Sequence, residues 1–155
     1  MTIEGLLDAL ADETAEALKG FRLRSAKENP IPVNIYTQNV PLKEGKDDEK
    51  TYPYVCVCFD SSDIENPYEG KELLDIYFLI GVIDRAKDRQ GYRDVLHIIE
   101  RIKQHFFRKG IVKNAFRLGC PIKTALETAD IYPYFVGGIE AKCELFTVTE
   151  EDKFI

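Results

Sequence analysis

Residues 84–110 decide the fold that the sequence predicts: DRAKDRQGYRDVLHIIERIKQHFFRKG. At about 100° per residue, as in an α-helix, one half of the cylinder is apolar and carries Tyr92, Val95, Leu96, Ile98, Ile99, Ile102, Phe106 and Phe107. The other half is polar and carries Arg93, Asp94, His97, Glu100, Arg101, Gln104, His105 and Arg108. This pattern predicts an amphipathic central helix over residues 90–109 that lies on a core. Asp84 or Asp88 is expected to cap its start, and Gly110 to take the left-handed turn that ends it.

The flanking segments predict a second helix and a sheet. Residues 1–20 repeat apolar side chains at helical spacing and end at a glycine, which predicts an N-terminal helix. Extended segments are predicted over residues 31–36, 53–60, 73–83, 111–118, 121–126 and 134–148. Gly119 is expected to separate the two short segments, and Gly137 and Gly138 to mark a bulge or bend. The alternation of the last segment suits an outer or solvent-facing strand. The fold class that follows is α+β, with an antiparallel or mixed sheet of four to five strands and two main helices packed on one face.

Two of these strands carry apolar side chains on both faces. They are residues 53–60, PYVCVCFD, and residues 73–83, LLDIYFLIGVI. Two helices normally cover only one face of a sheet of this size. Either long loops or another subunit must therefore cover the opposite face, and we favour a homo-oligomer because large exposed apolar patches are uncommon on monomers.

Length and charge narrow the class of protein. A chain of 155 residues is expected to form a single domain, residues 1–155. The net charge of −6 argues against nucleic acid or an anionic membrane as the main partner. No apolar run is long enough for a membrane helix, and the N-terminus is acidic, so we expect a protein that is made and kept in a cytoplasm. The four cysteines, which lack metal-site spacing, are expected to be free and buried: Cys56, Cys58, Cys120 and Cys143.

Three polar segments are expected to lie outside the core. Residues 43–51 are predicted to form a mobile loop, either a solvated hairpin tip or an arm that orders on a partner. Residues 61–71, SSDIENPYEGK, are predicted to be a polar turn region, and residues 149–155 a short acidic tail. The charged residues that we predict as assembly contacts, with ordinary solvated charges as the alternative, are Lys46, Asp47, Asp48, Glu49, Lys50, Arg93 and Arg101.

No catalytic, cofactor-binding or metal-binding residue is predicted. His97 and His105 would be about 12 Å apart along one helix, too far to share a metal ion, and are expected to be surface residues. The sequence has no phosphate-binding glycine loop and no nucleophile elbow. An enzyme remains an alternative only because sites can assemble from residues that are distant in sequence.

The order of several segments resembles the tail terminator, or tail-completion, proteins of tailed bacteriophages and prophages of Gram-positive bacteria. The resemblance covers residues 50–148 and runs through TYPYVCV, a long strand that ends in an aspartate, DRQGYRDVLHIIERIKQHF, FRLGCPIKTALE and DIYPYFVGGIEAKCELFTV. The residues that carry it best are Asp84, Gln90, Gly91, Tyr92, Arg93, Asp94, Pro121, Tyr132, Pro133 and Tyr134. This chain departs from the family in having no tryptophan, which often occurs there near the positions of Lys123 and Phe135.

The resemblance implies a structural role in the virion. Tail terminators close into a ring, commonly a hexamer, on the end of the tail tube, stop its polymerisation and dock the head-tail connector. The implied partners are further copies of the chain, the major tail tube protein and the connector, with DNA only passing through the lumen. The subunit would assemble in the host cytoplasm and end in the neck of the virion. The alternatives are another head-to-tail joining protein, the cap of a phage-derived injection particle or, from another class, a small cytoplasmic enzyme or ligand-binding regulatory domain.

Overall fold

The computed structural model describes residues 1–24, 31–41 and 50–146. Within these ranges the chain forms two α-helices, five strands and one short 3-10 turn. The helices are α1, Ile3–Ala17, and α2, Tyr92–Lys109; the strands are β1, Asn34–Thr37, β2, Tyr54–Asp63, β3, Lys71–Ile83, β4, Phe116–Leu126, and β5, Tyr134–Phe146. Most of the predicted loop 43–51 and the whole of the predicted tail 149–155 lie outside the described residues.

The five strands form one mixed sheet in the order β1-β2-β3-β5-β4. β1 is parallel to β2, and the other neighbours are antiparallel. β3 is the central strand, because it pairs with β2 along one side and with β5 along the other. The α+β prediction with a mixed sheet is confirmed.

Both helices pack on the same face of the sheet, which we call the front face. One apolar cluster joins α1, α2 and the front-facing side chains of the strands, including Leu10, Phe78, Ile98 and Ile139. Each of these four side chains has 1% or less of its surface exposed. Thr2 caps α1, since its Oγ1 accepts a hydrogen bond from the Gly5 N–H at 3.0 Å. The predicted placement of two helices on one face is confirmed.

The predicted acidic cap of α2 is wrong. Gly91 occupies the cap position, and no side chain there accepts a hydrogen bond from the helix. Asp84 and Asp88 instead accept hydrogen bonds from the Ala86 and Gln90 N–H groups, at 3.0 and 3.2 Å, in the turn before the helix. At the other end, Gly110 has the expected positive φ of 66°, although its ψ of −113° lies outside the left-handed helical region.

The two sides of α2 also differ from the prediction. Asp94, expected on the polar face, is fully buried, whereas Leu96 and Phe107, expected in the core, are 39% and 57% exposed. His105 is not a surface residue, because only 14% of its side chain is exposed. His105 is covered because α2 contacts α1, where it meets Glu13, and Asp94 is covered by the segment after α1, where its Oδ1 accepts a hydrogen bond from the Arg24 N–H.

The second half of the sheet corrects three further expectations. Residues 116–126 form one strand, β4, whose register shifts between Gly119 and Ile122 without ending the strand. β5 lies between β3 and β4 and is not an outer strand, although one of its faces is open to solvent. Gly137 and Gly138 make no bulge, since both pair in register with β3 and β4. Their close neighbours explain the glycines instead: a Cβ on Gly137 would lie 2.7 Å from Cγ1 of Val95.

Candidate functional site: the rear face of the sheet

The side of the sheet that faces away from α1 and α2 is the candidate functional surface, which we call the rear face. Neither helix contacts it, and within the described ranges β1 and the segment between β1 and β2 pack on its β2 side, through Tyr36, Val40 and Tyr52. The rear-facing side chains come from alternate positions of β2, β3, β5 and β4, such as Cys56, Tyr77, Glu140 and Lys123. This surface divides into a tyrosine-rich part, a shallow depression and a charged part.

The tyrosine-rich part covers the rear side of β2. The ring centroid of Tyr52 lies 5.0 Å from that of Tyr54 and 5.4 Å from that of Tyr134. Together with Tyr36, Val40 and Tyr77, these rings bury Cys56 and Cys58. The apolar rear side of β2 is therefore largely covered from within the chain by aromatic side chains, and its outer surface is made of tyrosines.

Cys56, buried in this part, is a poor nucleophile. Burial, together with the neighbouring Cys58 thiol, raises the pKa of Cys56 to about 12. Burial also raises the pKa of Tyr54 to about 12, with Tyr52 adding to the effect. Because a thiolate is the reactive form, a thiol with so high a pKa remains protonated near neutrality. The expectation of free, buried thiols is confirmed for Cys56, Cys58 and Cys143, whereas Cys120 is exposed.

A shallow depression lies over Gly138, in the middle of the rear face. It has a volume of about 310 Å³, and its walls include Tyr77, Leu79, Ala125 and Val136. Leu79 is 39% exposed there. The depression exists because Gly138 has no side chain; a Cβ at this position would lie 2.8 Å from the carbonyl oxygen of Phe78. This is the part of the rear face where apolar surface remains open to solvent.

The charged part of the rear face is built on the polar side of β5, and its ion pairs join β5 to β3 and β4. Glu144 on β5 accepts hydrogen bonds from Lys71 on β3 at 3.0 Å and from Arg117 on β4 at 2.5 Å. Asp75 on β3 is paired with Lys142 on β5 and accepts a hydrogen bond from Ser61 Oγ at 3.0 Å. These partners lower the pKa of both carboxyl groups. The rear face is thus apolar over only part of its area, and the expectation of an apolar second face is wrong for this part.

A polar groove between α1 and α2 is a further concave surface, with a volume of about 760 Å³. Glu13 lies in it with its side chain 11% exposed; its carboxylate is 2.7 Å from His105 Nε2 and accepts a hydrogen bond from Lys109 Nζ at 3.1 Å. Burial alone would raise the pKa of Glu13, but the hydrogen bonds from His105 and Lys109 outweigh it and lower that pKa. The groove lining contains no serine, threonine or cysteine that the histidine could activate. The Glu13–His105 pair therefore connects the two helices.

The structure places the predicted assembly residues on separate elements. Arg93 is exposed at the start of α2, where its Nε donates to Gln90 Oε1 at 2.6 Å. Arg101 donates from Nε and from one terminal nitrogen to the carbonyl oxygens of Ala17 and Lys19, both at 3.1 Å, and so binds the end of α1. Lys50 lies just before β2, and its carbonyl oxygen accepts a hydrogen bond from Asn34 Nδ2 at 3.0 Å. The others, Lys46, Asp47, Asp48 and Glu49, lie outside the described residues, and the role of all seven as contacts stays a prediction.

The sequence prediction missed two exposed surfaces. β2 and β3 continue past the body of the sheet to a turn where Tyr68 is 90% exposed and Ile64 is 51% exposed. At the end of α2, Phe107 is 57% exposed, and Ile111 in the following turn is 53% exposed. The sequence contains these residues, Tyr68 within NPYEG and Phe107 with Ile111 within FFRKGI. Their exposure was not predicted, because apolar residues are normally assigned to the core.

The described part of the chain contains no group of three or more histidine, cysteine, aspartate or glutamate residues that could hold a metal ion. None of its helices is long and apolar enough to pass through a membrane. Comparison with models of known protein families and with curated proteins finds no match to this chain.

Proposed function

We propose that this protein is a tail terminator, a structural subunit that closes into a ring on the end of a phage tail tube, stops its polymerisation and joins it to the head connector. The observation that carries the proposal is the rear face of the sheet, on which neither helix packs and which leaves an apolar depression beside Leu79 open to solvent. A surface of this kind is expected at a contact between subunits. The resemblance over residues 50–148 supports the same role.

The chemistry of the described residues supports a structural role over a catalytic one. The larger concave surface contains a histidine–carboxylate pair without a nucleophile, and the three buried cysteines lie in apolar surroundings. The net charge of −6 also suits a ring through which DNA passes without binding. In this proposal the protein assembles in the host cytoplasm and remains in the neck of the virion.

Negative-stain microscopy and light scattering test the proposal directly. The purified protein is examined alone and after mixing with tail tubes assembled from a major tail protein. We expect rings at the tube ends and tubes that no longer lengthen when free tube subunits are added. Tubes that continue to grow with no density at their ends would refute the proposal. Genes for portal, major tail and tape-measure proteins beside the gene for this chain would support it, whereas a metabolic operon would favour an enzyme.

Leu79→Ser tests whether the rear face makes the contact. Leu79 is 39% exposed on the depression, so serine should change the surface without disturbing the fold. Leu96→Ser is a matched control, because Leu96 is equally exposed but lies on α2. We expect the first variant to weaken ring formation and the second to leave it unchanged. Equal behaviour of the two variants would remove the rear face from the contact.

A further inference from the structure

The hairpin between β2 and β3 ends in a well-ordered acidic turn, residues 60–70, which we call the hairpin tip. Asn66 Oδ1 accepts a hydrogen bond from the Tyr68 N–H at 3.0 Å, and the Asn66 carbonyl oxygen accepts one from Glu69 at 3.1 Å. Gly70 then returns the chain into β3 with a φ of 69°. These bonds fix the backbone at Tyr68, whose surface is 90% exposed. Tyrosine has only two side-chain torsions to order on binding and is a frequent anchor of protein interfaces.

The charges of the hairpin tip all have one sign. Its ionisable residues are Asp60, Asp63, Glu65 and Glu69, all exposed, and no lysine or arginine occurs between residues 60 and 70. Lys71, the first base after the tip, is paired with Glu144 on the rear face. The tip therefore offers two apolar side chains, Tyr68 and Ile64, together with four acids that form no ion pair within the described ranges.

The end of α2 presents a surface of the opposite charge, which we call the basic patch. It consists of Phe107, Arg108, Lys109, Ile111 and Lys113, all of them exposed. Phe107 and Ile111 are the apolar members, 57% and 53% exposed. Neither Arg108 nor Lys113 forms an ion pair with any residue in the described ranges. Part of this charge complements the carbonyl end of the helix, but that does not explain two large apolar side chains left in solvent.

We propose that the hairpin tip of one subunit docks on the basic patch of the next subunit. Tyr68 and Ile64 would pack on Phe107 and Ile111, and the acids of the tip would face Arg108 and Lys113, because Lys109 is already paired with Glu13. The opposite charges and paired apolar residues of the two surfaces make a second copy of this chain the fitting occupant. This inference rests on the proposed ring, for which it supplies one of the contacts between neighbours.

The positions of the two surfaces favour a head-to-tail contact. Both lie at the end of the sheet where β3 and β4 begin and β5 ends, since Lys71 pairs with Phe146 and Phe116 pairs with Leu145. A contact between two different surfaces repeats from subunit to subunit, and it closes into a ring when the rotation per subunit allows. The contacts would then follow one rim of the ring.

Disulfide trapping between two variants tests the contact. Tyr68→Cys and Ile111→Cys are made separately in a Cys120→Ser background, because Cys120 is the exposed cysteine of the described chain. The two purified variants are mixed at high concentration, oxidised mildly and compared with each variant alone. We expect a disulfide-linked dimer in the mixture and not in either variant alone. Leu96→Cys replaces Ile111→Cys in the control mixture, which should give no dimer. Equal dimer yields in the test and control mixtures would overturn the proposal.

A charge exchange tests the energetics in the intact chain. Asp63→Lys with Glu65→Lys reverses the tip, and Arg108→Glu with Lys113→Glu reverses the patch. We expect each double variant to weaken self-association at least about tenfold, and the combination of all four changes to restore it. If the tip and the patch did not contact each other, the losses of association caused by the two double variants would simply add. Failure of the combination of all four changes to restore association would therefore overturn the inference.

The tube assay separates this inference from the proposed function. If the wild-type protein forms rings and caps tubes while the reversed variants do so equally well, the contact is wrong and the function stands. If the reversed variants still form rings but no longer cap tubes, the tip binds the tube and the inference is overturned. If the wild-type protein neither forms rings nor caps tubes, and no trapped dimer is found, both are wrong.

Discussion

Gly137→Ala is the change for which the structure gives the clearest expected cost. Gly137 lies on β5 beneath α2, and an added Cβ would be 2.7 Å from Val95 Cγ1, 2.9 Å from the Ala125 carbonyl oxygen and 3.1 Å from Leu126 Cδ2. The first two distances are shorter than any ordinary carbon contact, and one of the atoms belongs to the backbone of β4. The helix and the strand must therefore separate slightly, and overpacking of this kind costs about 1–3 kcal/mol.

The change also removes a glycine from a strand, which by itself favours folding by about 0.5–1 kcal/mol. We therefore expect a net destabilisation of about 1–2 kcal/mol. For a domain of this size that lowers the melting temperature by roughly 2–8 °C. Urea unfolding followed by circular dichroism measures it, as a lower midpoint at an unchanged slope.

Gly119→Ala is the matched control, since it makes the same chemical change on the neighbouring strand β4. The nearest atoms to a Cβ there are 3.8 Å away, which is ordinary contact, so only the glycine term remains and the variant should be more stable by about 0.5–1 kcal/mol. Shortening Val95 to alanine should then recover part of the loss in the Gly137→Ala background, with a coupling of at least about 0.5 kcal/mol. Equal stability of the two glycine variants would refute the close approach of α2 to β5.

Three other changes test the remaining geometry. Glu13→Gln removes the charge that joins α1 to His105 and Lys109 and should lower the free energy of unfolding by about 1–2 kcal/mol at neutral pH, whereas Glu16→Gln in the same groove should lower it by less than about 0.5 kcal/mol. Because the folded pKa of Glu13 is lowered, this stabilisation is present above the ordinary glutamate pKa and is lost as the pH falls through the folded pKa. The urea midpoints of the wild type and the variant should therefore converge in acid. Asp94→Asn should make the free energy of unfolding depend less on pH. Burial raises the pKa of Asp94, so the folded state holds the proton more tightly and wild-type stability falls as the pH rises through that pKa. Identical pH slopes of stability for the wild type and the variant would contradict this. Deletion of residues 44–49 should impair ring formation or capping in negative-stain images, and a deletion variant that does both normally would exclude the loop from assembly.

Asp94 also shows where reading a helix from its sequence fails. Its position on the polar side of the apolar stripe predicts a solvated carboxylate, yet it is fully buried, with Oδ1 accepting a hydrogen bond from the Arg24 N–H at 2.9 Å. Its other oxygen has no hydrogen-bond partner among the described residues. The partner is 70 residues away in the chain, and no local pattern contains it.

The candidate surfaces were predictable in part. An apolar second side of β2 and β3 follows from the sequence because a strand that is apolar at every position must bury both faces. Neither the tyrosines that cover Cys56 nor the ion pairs around Glu144 follow from it, because these side chains come from three or four strands whose order was unknown. The exposure of Tyr68 does not follow from the sequence either, because an aromatic side chain in a turn can pack back on the sheet as readily as it can point into solvent.

The sequence by itself determined the local structure of this protein. Apolar spacing near 3.6 identified both helices, and spacing of 2 or unbroken apolar runs identified the strands, because backbone geometry alone decides which side chains share a face. Only the tertiary structure decided the order of the strands, the parallel pairing of β1, the joining of Glu13 to His105 and the open rear face. Each of these depends on contacts between residues far apart in the chain, whose free energy comes from burial and pairing that no short window of sequence contains.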